Sequence, residues 1–211
     1  MIVTAVERRR GRLDVYVDGE LACTIDRVLA AERDVRPGRT FIAAELIALE
    51  QEAARRAAIA AALRLLSYRP RSERELRQRL VRKKLPKRAV DAAVVRMREL
   101  GYLDDAAFAR FYAETRQATR PSSQRLLRVE LRQRGVEQEA AEEATEDISD
   151  ETAAYQAASR RVRALGGLEY EKFRERLGAF LTRRGFSYGV ARSTIERCWA
   201  ELSEQRGADA G

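Results

Sequence analysis

Leu80-Val-Arg-Lys-Lys84-Leu85, Leu131-Arg-Gln-Arg-Gly135-Val136 and Leu181-Thr-Arg-Arg-Gly185-Phe186 are three versions of one stretch, 51 and then 50 residues apart. Each has a Leu, two or three basic or polar residues, a Gly (Lys84 in the first copy) and an apolar residue. Each is followed by another helical pattern. A period of this length marks a repeated supersecondary unit. Stacked units give an elongated body with a long exposed surface, suited to gripping another extended object.

Working outward, each repeat reads as three short helices. In the first repeat a helix ends before Pro70, because the residue before proline avoids helical dihedrals. Ser72-Glu73-Arg74-Glu75 has the form of a capping box opening a helix to about Lys83. Pro86 begins a third helix ending at Gly101. Asp104 caps the next helix. In the second repeat Ser122 or Ser123 caps a helix stopped by Gly135, and a third helix covers about 137–148. The third repeat has a helix from about Asp150 to Leu165, broken at Gly166-Gly167. A second runs from about Tyr170 to Arg184, and a third from about Tyr188 to Leu202. The glycine after the second helix has a mechanical reason: helices commonly end in a left-handed residue, which costs other residues about 1–2 kcal/mol.

Upstream the pattern is different. Leu13, Val15 and Val17 alternate with Asp14, Tyr16 and Asp18, and Leu21, Cys23 and Ile25 alternate beyond Asp18-Gly19. Asp-Gly between alternating runs marks a hairpin. Residues 2–8 supply a third strand turning at Arg10-Gly11, which makes a three-stranded meander over residues 2–25. Asp26 caps a short helix to about Asp34, Pro37-Gly38 marks a turn, and Thr40 is placed to cap the next helix. Phe41 to Leu66 is rich in Ala, Leu, Glu and Arg with no Gly or Pro. It reads as one long helix or two nearly continuous ones. The expected fold class is therefore mainly α: three tandem three-helix repeats in an elongated, curved arrangement, preceded by a small antiparallel β-meander with helix. The expected boundaries are 1–56 for the extension, then 57–105, 106–149 and 150–205 for the repeats. Residues 206–211 form a frayed tail.

Charge is concentrated. The chain of 211 residues has net charge +8. Residues 57–105 hold 13 basic and 6 acidic residues, net +7, against net 0, −1 and +2 for 1–56, 106–149 and 150–211. That concentration points to an anionic partner. The candidate partner- or nucleic-acid-binding residues are Arg69, Arg71, Arg74, Arg77, Arg82, Lys83, Lys84, Lys87 and Arg88. Arg125, Arg128, Arg132, Arg183 and Arg184 join them from the later repeats. No base-reading motif accompanies them.

Catalytic chemistry is poorly supported. There is no histidine, which removes the commonest general base and most zinc sites. The two cysteines, Cys23 and Cys198, lie far apart without metal spacing and read as small buried side chains. No phosphate-binding glycine loop occurs. Asp104-Asp105 reads as a helix cap rather than a carboxylate pair. Phe186 and Trp199 read as core rather than base-stacking residues. No catalytic residue, metal site or cofactor is expected. Met1 leads directly into a strand pattern, so no signal peptide is expected, and no apolar run approaches the ~20 residues of a membrane span.

The residues also carry a family resemblance. Ala62-Leu63-Arg64-Leu65-Leu66-Ser67-Tyr68-Arg69-Pro70-Arg71-Ser72-Glu73-Arg74-Glu75-Leu76 resembles the signature of RecX, the bacterial regulator of the RecA recombinase. Leu100-Gly101-Tyr102-Leu103-Asp104-Asp105 with Phe108-Ala109, and Arg183-Arg184-Gly185-Phe186-Ser187-Tyr188, resemble it too. The likeness covers about residues 57–202, and the meander resembles the extension of longer members. Lys84 departs from the usual Gly, which bears on local helix-end geometry. The resemblance implies a cytoplasmic, non-enzymatic, monomeric modulator of recombination, DNA repair and the SOS response. It implies binding in the groove of the RecA filament, inhibition of ATP hydrolysis and strand exchange, and weak, salt-dependent binding to single- or double-stranded DNA. A stand-alone DNA-binding protein or transcriptional regulator is the alternative.

Overall fold

The computed structural model describes the backbone of residues 1–209 and the side chains of residues 1–206. The chain forms two compact units, Met1–Leu103 and Asp104–Gly211.

The first unit opens with strands β1 (Val3–Arg9), β2 (Arg12–Val17) and β3 (Glu20–Ile25), an antiparallel meander in the order β1-β2-β3. Both turns place two consecutive residues in the left-handed region: Arg10 at φ 48° with Gly11 at 83°, and Asp18 at 49° with Gly19 at 91°. Such turns match the right-handed twist of the strands. The expected alternation is broken by a register shift between Val15 and Tyr16. Leu21 consequently pairs with Tyr16 instead of the buried Val17, and is exposed. Asp14, expected outward, is buried. Its carboxylate accepts from the cross-strand Thr24 hydroxyl at 2.6 Å and lies 3.6 Å from Arg9.

Helix α1 (Arg27–Glu32) is capped by Asp26, which accepts from the Leu29 amide at 2.7 Å. Helix α2 is unbroken from Ala43 to Tyr68. Thr40 does not cap it; that residue bridges to Ile2 at the edge of the meander. Glu45 instead accepts from the Ile42 amide at 3.0 Å. The N-terminal half of α2 lays Leu46, Leu49 and Ala53 into a core with Val3, Val15, Ile25, Leu29 and Phe41. The C-terminal half lays Ala58 and Ala62 into a second core, with α3 (Glu73–Arg82) and α4 (Lys87–Glu99). Leu76, Leu80, Val90, Val94 and Met97 fill that core. Ser72 caps α3 by accepting from the Glu75 amide at 3.2 Å.

The second unit holds two further three-helix groups. The first is α5 (Asp105–Thr119), α6 (Gln124–Gln133) and α7 (Gln138–Glu143). The second is α8 (Asp150–Leu165), α9 (Tyr170–Arg183) and α10 (Tyr188–Asp209). Asp104, Ser123 and Ser149 cap α5, α6 and α8. Helix α7 is shorter than its sequence pattern. Beyond it, the Thr145 and Ile148 amides bond three residues back, to Glu142 and Thr145. Those are tighter turns than an α-helix makes. Helix α10 outlasts its pattern and continues to Asp209. Residues 210–211 of the expected frayed tail lie outside the described residues. Phe173, Leu177 and Leu181 are fully buried, and Trp199 packs its ring 5.1 Å from that of Phe173.

The quoted repeat has a common geometry. Leu80, Leu131 and Leu181 are each 0% exposed. Lys84, Gly135 and Gly185 have φ of 58°, 85° and 84°. The amides of Val136 and Phe186 reach back to the carbonyls of Leu131 and Leu181, closing the helix ends in the Schellman manner. Lys84 adopts the same conformation without being glycine. Lys84→Gly is therefore expected to raise stability by up to about 1 kcal/mol, read as a higher urea midpoint with unchanged slope.

Candidate functional site

The end of α3, the turn at Lys84 and the start of α4 place Arg82, Lys83, Lys84, Lys87 and Arg88 at the surface. The fold requires this. Leu80 on one side and Ala89 and Val90 on the other take the buried positions and Leu85 packs against the same core, so the basic residues between them face solvent. Among the described residues, none of these five cations lies within ion-pairing distance of a carboxylate. Arg82 lies in the last turn of α3, where a cation is favourable. Lys87 and Arg88 are in the first turn of α4, which holds no acidic residue. Positive charge opposes the helix dipole there. An anion at this corner relieves that opposition. Arg74 is also exposed, one face along α3.

The remaining candidates in this unit are engaged within the fold. Arg69 pairs with Glu75 at 2.9 Å and donates to the Pro70 carbonyl. Arg71 is largely buried and donates from Nε to the Leu65 carbonyl at 3.0 Å. Burial, with Arg69 and Arg79 adding to it, lowers its pKa. Arg77 bonds to Glu73 at 2.9 Å and to Asp91.

In the second unit Arg125 and Arg132 are exposed on α6, and Arg183 on α9. Arg128 is half-buried and donates to the Thr145 hydroxyl at 2.8 Å and to Gln124 at 3.2 Å. Arg184 donates to the Pro121 carbonyl at 2.8 Å and stacks 4.8 Å over Phe180. Burial, reinforced by Arg120, Arg116 and Arg160, lowers its pKa.

Burial pushes the thiols of Cys23 and Cys198 up to about 11, with Glu50 and Glu201 respectively adding to it. That shift favours the protonated thiol, the less nucleophilic form, at neutral pH. Asp104 accepts from the Ala106 and Ala107 amides at 2.9 and 3.0 Å as a cap. No group of three metal-ligating side chains occurs among the described residues. No helix among them is long and apolar enough to cross a membrane. A feature not anticipated in the sequence is a groove of about 860 Å³ between α9 and α10, with Gly178 on its floor and Tyr188 on its rim. Its signal lay in the third position before Leu80, Leu131 and Leu181, which is Arg, Arg and Gly.

Comparison with known proteins agrees with this architecture. Family models described as the first, second and third three-helix domains of RecX match residues 58–97, 104–144 and 149–195. A regulatory protein RecX of Thermobifida fusca is 38% identical over 132 residues, covering 61% of this chain and 71% of its own. One from Streptomyces coelicolor is 33% identical over 145 residues, covering 67% and 77%. One from Bacillus pumilus is 23% identical over 211 residues, covering 99% and 80%. A crystal structure of regulatory protein RecX has the same fold at a TM-score of 0.65 and 21% identity, covering 92% of this chain and 98% of its own. With three domains matched in order and relatives of this name along most of their length, the chain belongs to the RecX family of regulatory proteins.

Proposed function

We propose that this chain binds the RecA recombinase filament and inhibits its ATP hydrolysis and strand exchange, using the basic corner at Arg82–Arg88. The observation that carries this reading is a cluster of five exposed cations with no carboxylate partner among the described residues, two of them at the unfavourable end of a helix. Membership of a family of regulatory proteins supports the recombinase as the partner. The chain acts by occupancy rather than by turnover, as a monomer in the cytoplasm. Opposite charge across the contact speeds association and fixes orientation.

Co-sedimentation with recombinase filaments on single-stranded DNA tests the reading. The chain is expected to pellet with filaments at salt that abolishes its binding to free DNA. Binding to naked DNA falls steeply with salt, because neutralised phosphates release counterions. Equal salt-sensitive binding with and without recombinase would favour a stand-alone DNA-binding protein instead.

A further inference from the structure

In the first two repeats an arginine reaches from the second helix to a later segment, α4 in the first and the turn after α7 in the second. Arg77 reaches from α3, bonding Glu73 on its own helix and Asp91 on α4. Arg128, at the same distance before its buried Leu, bonds Gln124 on α6 and the Thr145 hydroxyl beyond α7. In the third repeat that position is Gly178. The residues around it are inverted in charge: Arg174 stands where Glu73 stands, and Arg192 where Asp91 stands. The groove of about 860 Å³ opens over Gly178, and both arginines line it.

Nothing in the fold demands glycine at this point. Gly178 lies inside α9 and is not among the residues of positive φ. A Cβ there would meet Ile195 Cδ1 at 3.5 Å, an ordinary contact. Glycine inside a helix is less stable than alanine. What glycine leaves is open space, floored by Phe186 and Ile195 and edged by Tyr188, which is 81% exposed.

We propose that this groove receives an acidic side chain of a protein partner, seated over Gly178 with its carboxylate between Arg174 and Arg192. The occupant completes in reverse charge the bridge that Arg77 makes within the first repeat. Arg174 and Arg192 make exposed pairs on their own helices, to Glu171 at 2.7 Å and Glu196 at 2.8 Å, and Arg174 also lies 6.0 Å over the Tyr170 ring. Such pairs contribute little and exchange readily. Glu175 and Glu196 also line the groove. They disfavour a nucleic-acid backbone, whose charges are closely spaced at about one per 1.7 Å of duplex axis. One carboxylate on an apolar segment meets less of that repulsion than a row of phosphates does.

The test rests on the recombinase reading above, with the full chain on filaments assembled on single-stranded DNA. Tyr188 is replaced by the photo-crosslinker p-benzoylphenylalanine and the linked peptide is identified by mass spectrometry. A single recombinase segment containing Asp or Glu is expected. Linkage to DNA, or to a segment without an acid, would overturn the proposal. In parallel, Gly178→Arg fills the groove with the residue type of the other repeats. It is expected to remain folded by circular dichroism and bind filaments roughly tenfold more weakly. Gly178→Ala takes up little of the space, and is expected to weaken binding less than Gly178→Arg does while raising Tm by roughly 2–4 °C. Undiminished binding by Gly178→Arg would overturn the groove while leaving the recombinase reading intact. Failure of the wild-type chain to co-sediment would overturn the recombinase reading and, with it, this occupant.

Discussion

A chain carrying Arg82→Glu, Lys83→Glu and Arg88→Glu is expected to keep its circular dichroism spectrum and lose most of its inhibition of recombinase ATPase. The charge changes by six units on one corner of the first unit. All three side chains are exposed, so each reversal alters stability by about 0.5 kcal/mol or less. The helix dipoles act in opposite directions. Glu at 88 is favoured in the first turn of α4, and Glu at 82 is disfavoured in the last turn of α3. Binding has no such cancellation. Like charges facing each other across an interface cost several kcal/mol, so affinity should fall on the order of 100-fold. A matched control reverses Arg8, Arg27 and Arg33, which are exposed and outside both the basic corner and the groove at Gly178. Full inhibition by the first variant, with loss in the control, would place the contact outside the basic corner.

Gly185→Ala is expected to be the most damaging small substitution in the second unit, lowering stability by roughly 2–5 kcal/mol. Two penalties coincide. The residue has φ 84°, which an L side chain rarely adopts. Its Cβ would lie 2.5 Å from Ser123 Oγ and 2.8 Å from Leu126 Cβ. Ser123 cannot simply yield, because its hydroxyl caps α6 and its amide donates to the Arg184 carbonyl at 3.0 Å. Thermal unfolding beside Lys84→Gly gives opposite shifts at equivalent positions of two repeats. An unchanged Tm for Gly185→Ala would contradict the packing at this junction.

Much of this fold was legible because its signals are local. Asp18-Gly19, Ser72, Asp104 and Gly185 act within a few residues of themselves, so spacing alone placed hairpins, caps and helix ends. The misreadings came from distant partners. Leu21 depends on a register shift in a neighbouring strand, and Thr40 is drawn to Ile2 rather than to the helix beside it. The candidate site divides in the same way. Exposure of Lys83 to Arg88 follows from the buried residues flanking them. Arg71 and Arg184 look equally free in the sequence, yet the first is tied to a carbonyl six residues back and the second to one 63 residues back. Net charge counts such residues as available when they are already engaged. The groove at Gly178 escaped notice because its meaning emerges only when the three repeats are compared position by position.

The unbroken helix α2 makes one object of what the repeat boundaries divide. Its 26 residues form a rod of roughly 39 Å that serves two hydrophobic cores at once. The family's first three-helix domain begins at residue 58, in the middle of that rod. Cutting there leaves Leu46, Leu49 and Ala53 on a shortened helix in one fragment, and Ala58 at a frayed end in the other. Melting therefore spreads along the rod from either core to its neighbour. The first unit is expected to unfold as one cooperative element, with the meander a stabilising partner of the first repeat rather than a detachable appendage.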